Sequence, residues 1–166
     1  VLVGFHKESR IGGEAGAKYF IVGSIASATG IYGMSLLYLW AGSLDFASLS
    51  ASWAAMDTLD PLAGIGVGLM LVAFGFKVSA APFHLAAPDA YSGTNAPIAG
   101  MLATASKAMG FVAMMRVLVG FAAPNEAVTA WAPALGVLAI ITMTWGNLAA
   151  LSSDCLLYTS PSPRDG

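Results

Sequence analysis

The sequence carries little charge for its length, and this shortage limits the class of protein it can encode. Only 10% of its 166 residues are charged and 57% are hydrophobic, with a mean hydropathy of +0.75. Soluble domains carry about 25% charged residues, so a soluble fold of this composition would lack the polar side chains to cover its surface. A membrane protein is therefore predicted. The net charge of −2 also gives no electrostatic basis for binding nucleic acid.

Cysteine and metal-ligand patterns are also scarce. Cys155 is the single cysteine, which excludes an internal disulfide and the cysteine spacings of zinc and iron–sulfur sites. The sequence has no paired carboxylates and no serine–histidine–aspartate arrangement, so we expect no metal site and no catalytic residue in this chain. The apolar residues 1–5 precede the charges of residues 6–10, which is the reverse of a signal peptide. We interpret residues 1–5 as the end of a helix and the chain as a fragment.

Four long apolar segments predict an all-α fold, a polytopic transmembrane helix bundle with four full spans and the end of one more. A membrane-spanning helix needs about 20 apolar residues. The predicted spans are residues 14–40, 61–81, 96–120 and 130–151. Gly64, Gly66 and Gly68 lie inside the second span with no strand before them, so they predict close helix packing and not a nucleotide site.

The segments between the spans predict a topology. Residues 41–60 form a linker in which a short interfacial helix is predicted at residues 49–59, around Trp53, and Pro61 suits a first helical position. Positive charge is concentrated in residues 6–10, whereas the linker contains aspartates but no lysine or arginine. Because lysine and arginine favour the cytoplasmic side, we predict residues 6–10 inside and the linker outside.

Pro82 predicts a break in the second span, because proline lacks a backbone N–H and its ring clashes with the preceding turn. A short half-helix is predicted at residues 83–91, followed by a turn at residues 92–95. Backbone groups freed by a break inside a membrane are tolerated only where protein or water covers them. The break therefore marks a candidate functional region.

Two lysines near this break lie in otherwise apolar runs. A lysine at the centre of a membrane helix costs about 2.5–3.5 kcal/mol on insertion scales, so such residues are functional candidates. Lys107 lies in the middle of the third span; the structural alternative is an ion pair with a carboxylate, which the interior of no predicted span supplies. Lys77 lies near the end of the second span, where a lysine can also extend to the interface. Removal from water favours the neutral amine, so we predict that both lysines exchange protons.

Three further titratable residues are candidates with simpler alternatives. Glu14 and Lys18 have the i, i+4 spacing of a weak surface ion pair. His84 follows the break and titrates near physiological pH, so it is either a proton carrier or a hydrogen-bonded structural histidine. Asp89 follows Pro88, and we expect it to cap a turn or the half-helix.

A resemblance to a known family rests on this same region. The run GFKVSAAPFHLAAPDAYSGTNAP at residues 75–97, followed by LATASK at residues 102–107, resembles subunit N of bacterial NADH–quinone oxidoreductase, respiratory complex I. Residues 14–20, 32–38 and 146–151 match the same family in order and spacing. The Lys-x-Ser-x-x-Pro-Phe-His segment favours subunit N over its relatives L and M.

The resemblance implies a fold and a function. The fold is that of an antiporter-like subunit built from inverted repeats with broken helices, of which this chain would hold the end of the family's helix 5 and its helices 6 to 9. It implies proton-translocation roles for Lys18, Lys77 and Lys107, with His84 and Pro82 at the helix break. Quinone reduction elsewhere in the complex would drive the pumping, so the chain would be a subunit of an enzyme without a redox centre of its own.

The resemblance also implies which cofactors, partners and membrane belong to the protein. NADH, FMN, iron–sulfur clusters and quinone would bind to other subunits of complex I, and no cofactor to this chain. Its partners would be the other membrane subunits and the lipid bilayer, with no nucleic acid. The expected location is the bacterial inner (plasma) membrane, crossed several times.

Two departures from the family pattern are visible. Ala86 stands where the family usually has tryptophan, and the glutamate expected to pair with Lys18 would lie before Val1. Residues 1–153 are assigned to a partial proton-translocating membrane domain. Residues 154–166 resemble translated adaptor sequence and are set aside as a suspected non-native tail, the alternative being a genuine disordered tail.

Two other functions stay open at this point. A subunit of a multi-subunit cation/proton antiporter would share the fold and exchange sodium for protons without NADH or quinone. A membrane scaffold would use its lysines only to bind partner helices and would conduct nothing.

Overall fold

The computed structural model describes residues 2–4, 10–84, 86–122 and 131–152, which form helices and turns without a strand. Four helical segments in this part of the chain are long and apolar enough to cross a membrane, and the predicted all-α bundle is confirmed. Most of the predicted loops at residues 6–10 and 121–129 lie outside the described residues. The suspected tail at residues 154–166 lies outside them as well.

Seven α-helices are present in the described residues. In chain order they are α1 (Arg10–Ala41), α2 (Phe46–Ala54), α3 (Pro61–Val78), α4 (Ala87–Ser92), α5 (Ala96–Met101), α6 (Lys107–Val117) and α7 (Trp131–Ser152). A 3-10 turn, Leu2–Gly4, lies before α1, and π-helical segments at Leu102–Ser106 and Leu118–Ala122 extend α5 and α6 into one helical run. The four candidate spans are Gly12–Ala41, Pro61–Val78, Ala96–Gly120 and Trp131–Ala149, close to the four predicted.

Glycine lets α1 and α3 approach closely. A Cβ atom on Gly33 would lie 2.7 Å from the carbonyl oxygen of Gly66, and one on Gly66 would lie 3.0 Å from Cγ of Leu37. A side chain at Gly33 would have to displace backbone, and one at Gly66 would have to displace the Leu37 side chain. Without a hydrophobic driving force between helices in lipid, such close backbone approach supplies the attraction. The prediction of close helix packing is confirmed at Gly66, but it is wrong at Gly68, where nothing lies within 4 Å of an added Cβ atom.

Polar side chains on α1 bond to their own helix. The hydroxyls of Ser24, Thr29 and Ser35 donate to the carbonyl oxygens four residues earlier, at 2.8, 2.9 and 3.0 Å. A hydroxyl satisfied in this way does not need a partner outside the helix, so it can face an apolar medium.

The core lies where α1, α2, α3 and the α6 run meet. Its buried residues are Leu37, Leu49, Trp53, Ala63, Val67, Met70, Met114 and Leu118. Trp53 is only 1% exposed and packs edge-on against Trp40, with ring centroids 6.1 Å apart. The prediction of a short helix in the linker is confirmed, but its bounds are 46–54 and not 49–59. Its placement at the membrane interface stays a prediction, and within the fold the Trp53 indole fills the core beneath α2.

The start of α3 follows the predicted pattern. Pro61 occupies the first turn, and the side chain of Asp60 accepts a hydrogen bond from the backbone N–H of Leu62 at 2.8 Å. This cap satisfies a backbone donor that the helix itself leaves free.

Candidate functional site

Helix α3 ends before Pro82, the residue predicted to break it. Helix α3 stops at Val78, because Ser79 adopts a left-handed conformation with φ of 59°. The backbone N–H groups of Ser79 and Ala80 then donate to the carbonyls of Phe76 and Gly75, at 3.0 and 2.8 Å. Pro82 keeps the chain from resuming the helix, because it disfavours helical geometry at the residue before it. The predicted break is confirmed, and its first residue is Ser79.

A side chain from α7 completes the break. The backbone N–H of Ala81 donates to Oγ1 of Thr142 at 3.0 Å, and the Thr142 hydroxyl donates to the Leu138 carbonyl at 2.7 Å. Sequence reasoning missed Thr142, because a threonine in an uncharged span has many structural uses and α7 also contains Thr144 and Asn147. Nothing in the sequence distinguishes Thr142 from these other polar side chains.

The half-helix after the break is shorter than predicted. Residues 81–84 form turns, and α4 covers only Ala87–Ser92, so the predicted helix at residues 83–91 is wrong at its start. Ala86 takes the N-cap position and Asp89 lies in the first turn, so the prediction that Asp89 caps the half-helix is wrong too. The phenyl ring of Phe83 instead folds back onto α3, where a Cβ atom on Gly75 would lie 2.7 Å from it.

Asp89 is instead an ion-pair partner of Lys18. The Lys18 Nζ atom lies 2.7 Å from Oε1 of Glu14 and 3.0 Å from Oδ2 of Asp89. The predicted i, i+4 pair is confirmed, and Asp89 adds a link between α1 and α4 that the sequence spacing did not reveal. About half of each side chain is exposed, with 51% for Lys18 and 46% for Asp89. Exposed ion pairs of this kind contribute little to the stability of a fold. We therefore interpret this cluster as setting the orientation of α4 rather than stabilising its packing.

Lys77 lies in the last turn of α3, beside the break. The residue is exposed, but its stem packs on α6, where a Cβ atom on Gly110 would lie 3.0 Å from Cγ of Lys77. The carbonyl groups at a helix C-terminus favour a positive charge, so the early end of α3 provides an electrostatic environment for this ammonium. The role of Lys77 in proton transfer stays a prediction.

Lys107 is partly buried and directly follows the π-helical segment Leu102–Ser106. Its Nζ atom lies 5.5 Å from the ring centroid of Tyr91 on α4, within the range of a cation–π interaction. The aromatic face therefore supplies part of the stabilisation that a carboxylate would give.

His84 has a buried nitrogen without a partner. Its Nδ1 atom makes no hydrogen bond among the described residues, and its ring lies 5.9 Å from that of Trp145 on α7. A buried ring nitrogen without a partner is costly, so it needs an explanation in structure or function. The alternative of a hydrogen-bonded structural histidine finds no support at Nδ1 in this part of the chain.

Two neighbouring cavities surround the break. The first, about 20 Å³, is lined by Lys77 together with Tyr19, Phe76, Ser79, Phe83, Ala87, Ala90, Tyr91, Leu102 and Ser106. The second, about 160 Å³, is lined by Lys107 and His84 together with Ser79, Ala81, Ala87, Pro88, Tyr91, Thr142, Trp145 and Gly146. The structure thus places Lys107 and His84 on one cavity and Lys77 on the next. Lys18 lines neither of them and lies with Asp89.

The side chains that line these two cavities suit proton transfer better than the making or breaking of covalent bonds in a substrate. Lysine amines, an imidazole and hydroxyls all gain and lose protons or pass them along hydrogen bonds. Within the described ranges, no group of three or more histidine, cysteine, aspartate or glutamate side chains is placed to hold a metal ion.

Comparison with known proteins assigns the chain to a family. Residues 1–154 match the family described as NADH:quinone oxidoreductase/Mrp antiporter, TM. The chain belongs to this family. It is 41% identical over 155 residues to NADH-quinone oxidoreductase subunit N 2 of Roseiflexus castenholzii, covering 92% of this chain and 31% of that protein. It is 43% identical over 151 residues to subunit N of Desulfitobacterium hafniense, covering 90% of this chain and 30% of that protein.

A solved structure supports the same assignment. The chain resembles one in respiratory complex I from Thermus thermophilus with bound aureothin, at 36% identity and a TM-score of 0.69. The match covers 88% of this chain and 30% of that one. The resemblance to subunit N and the partial antiporter-like fold are confirmed. The chain spans 30–31% of the length of the relatives named here.

Proposed function

We propose that this chain is part of a proton-translocating membrane subunit of an NADH–quinone oxidoreductase. The observation that carries the proposal is the pair of cavities at the broken helix, one lined by Lys77 and the other by Lys107 and His84. Two amines and an imidazole around a discontinuous helix are the kind of arrangement that transporters use at membrane depth. Family membership supports the same function.

In the proposed pathway, protons pass between titratable side chains and water. An N–H bond of the Lys107 ammonium breaks as a bond forms to water in the second cavity, and the reverse step restores the ammonium. His84 lines the same cavity, so its imidazole can accept and release the same proton. The end of α3 stabilises the charged form of Lys77, and the Tyr91 ring stabilises that of Lys107.

Lys18 has a different proposed role. Its ammonium faces two carboxylates, Glu14 on its own helix and Asp89 on the half-helix. A change in the charge of this cluster alters the attraction between α1 and α4. Because α4 also carries Tyr91, a change in this attraction alters the position of the Tyr91 ring, which lines both cavities. Lys18 thus acts on the cavities without contacting Lys107.

We also propose the membrane, the partner subunits and the cofactors that surround this chain. The subunit lies in the bacterial inner membrane and contacts lipid and the other membrane subunits of complex I. NADH, FMN, iron–sulfur clusters and quinone are bound by other subunits, whose redox chemistry supplies the energy. This chain contributes side chains that hold and move protons.

The test uses the full-length subunit in the assembled complex, in inside-out membrane vesicles. Lys107→Met removes the amine and keeps much of the side-chain volume, and Lys77→Met does the same on the other cavity. We expect both to lower NADH–quinone reductase activity and the proton gradient at least about tenfold, as for loss of a positioned proton-transfer group. Arg116→Met is the control, because Arg116 is exposed on the same helix as Lys107 and lines neither cavity.

Three outcomes would contradict the proposal. Normal pumping by an assembled Lys107→Met and Lys77→Met complex removes the lysines from the pathway. Sodium-dependent proton exchange without NADH or quinone indicates a cation/proton antiporter instead. A lower yield of assembled complex in both lysine variants, with unchanged proton flux per complex that does assemble, indicates a scaffold.

A further inference from the structure

The two cavities share part of their lining. Ser79, Ala87 and Tyr91 border both, whereas Lys77 borders only the first and Lys107 only the second. A proton that moves between the two lysines therefore crosses a boundary made by these three residues. Two of the three carry hydroxyl groups.

The backbone fixes these two hydroxyls on opposite sides of the break. Ser79 is the left-handed residue that ends α3, and its backbone N–H is bonded to the Phe76 carbonyl at 3.0 Å. Tyr91 lies on α4, the half-helix after the break, with its ring 5.5 Å from the Lys107 amine. Both residues are partly buried. A plain continuous helix would not bring residues 79 and 91 to the same cavity wall, so the break itself creates this pairing.

Hydroxyl groups suit this position chemically. Each has one O–H donor and lone pairs that accept, so it can take a proton from one neighbour while it gives its own to another. A cavity of about 20 Å³ has room for a water molecule beside Lys77. The larger cavity of about 160 Å³ has room for several beside Lys107. Ala87, the third residue that borders both cavities, has no hydroxyl and cannot pass a proton.

We propose that the hydroxyls of Ser79 and Tyr91 form the proton link between the cavity of Lys77 and the cavity of Lys107. This inference rests on the proposed function. In one transfer an N–H bond of the donor ammonium breaks and an N–H bond forms at the neutral amine of the other lysine. At each hydroxyl, one O–H bond forms as another breaks, so the hydroxyl itself is unchanged. Water in the cavities completes the chain on either side.

The simpler interpretation is that Tyr91 only packs its ring against the Lys107 amine. Tyr91→Phe separates the two interpretations, because it removes the hydroxyl and keeps the ring and its cation–π contact. Ser79→Ala likewise removes only a hydroxyl. If the ring alone matters, both variants pump protons normally.

The experiment measures protons pumped per NADH oxidised in vesicles that contain the assembled full-length complex. We expect each single variant to pump less than the parent but more than the double variant, because cavity water can replace one missing hydroxyl in the link more easily than two. We expect the double variant Ser79→Ala with Tyr91→Phe to lose about tenfold or more. A larger solvent isotope effect in D₂O is expected for Tyr91→Phe, because proton transfer then limits the rate.

The control is a matched pair on an exposed part of the first helix. Tyr32→Phe and Ser35→Ala remove the same two groups from α1, where Tyr32 is 61% exposed and the Ser35 hydroxyl bonds to its own helix. Neither lines the two cavities, and we expect normal pumping.

The outcomes separate this inference from the proposed function. If the double variant pumps normally while Lys107→Met does not, the hydroxyl link is wrong and the proposed function stands. If Lys107→Met and Lys77→Met both pump normally, the proposed function fails, and the link with it. If the double variant does not assemble, the isotope effect of Tyr91→Phe alone decides, and a value equal to that of the parent overturns the inference.

Discussion

The backbone N–H of Ala81 and the side-chain hydroxyl of Thr142 are joined by a hydrogen bond of 3.0 Å. The donor belongs to the broken segment after α3 and the acceptor to α7, so one side chain satisfies a backbone group that the break exposes. Unpaired backbone groups are costly at membrane depth, and this bond is one reason that the break is tolerated.

Thr142→Val should therefore destabilise the subunit. It keeps the shape of the side chain but leaves the Ala81 N–H without its acceptor, at a cost of about 1–3 kcal/mol. The measurement is the thermal unfolding midpoint of the full-length subunit in detergent. Thr142→Ser is the control, because it keeps the hydroxyl, and we expect it to stay close to the parent. Equal midpoints for the valine variant and the parent would show that the bond contributes nothing.

The contact between Gly33 and Gly66 gives a second prediction. Gly33→Ala places a Cβ atom 2.7 Å from the Gly66 carbonyl oxygen, so α1 and α3 must separate. We expect a loss of about 1–3 kcal/mol in stability, as for overpacking of a tight interface. Gly68→Ala is the matched control, because nothing lies within 4 Å of the added atom. The prediction is wrong if the two variants unfold at the same temperature.

The close approach of Gly110 to Lys77 gives a third prediction. An alanine at position 110 would place its Cβ atom 3.0 Å from Cγ of Lys77 and 3.2 Å from Cγ1 of Val78. The lysine stem must then move, and we expect proton pumping by the assembled complex to fall several-fold, about the cost of displacing a proton-transfer group. Gly100→Ala is the control on the same helical run, with nothing within 4 Å of the added atom. Unchanged pumping in Gly110→Ala would mean that the position of the Lys77 stem does not matter.

The ion pair between Lys18 and Asp89 gives a fourth prediction. Asp89→Asn removes one of the two carboxylates at the ammonium, but both side chains are about half exposed. We expect little change in the unfolding midpoint and a coupling between Lys18 and Asp89, measured by a double-mutant cycle, that weakens as salt rises. Glu14→Gln is the matched control for removal of the other carboxylate. A strong coupling that salt does not weaken would show that the pair is buried in the working protein.

The helices could be predicted from the sequence because each depends on local properties. Long apolar runs set the spans, and Pro61 after Asp60 set the start of α3. Gly66 inside the second span also predicted close helix packing. These signals lie within single continuous segments, so the sequence contains them in full.

The site could be predicted only in part, because its remaining features depend on contacts between distant residues. Asp89 meets Lys18 across 71 residues, and Thr142 meets Ala81 across 61. Neither spacing is periodic, so no pattern indicates it. The α3 end at Ser79 was missed for another reason: the proline three residues later is the stronger local signal, and it hides the left-handed cap. The burial of Trp53 in the core was not visible in the sequence, because the same indole suits a membrane interface and a core.

The central claim is that amines at the broken helix gain and lose protons during turnover. Infrared difference spectra of the assembled complex, with lysine labelled by ¹⁵N and driven by NADH, test this most directly. We predict lysine N–H bands that shift with the label, part of which disappears in Lys107→Met and persists in the control Arg116→Met. If the labelled bands are the same in Lys107→Met, Lys77→Met and the parent, these two lysines do not change protonation and the claim is wrong.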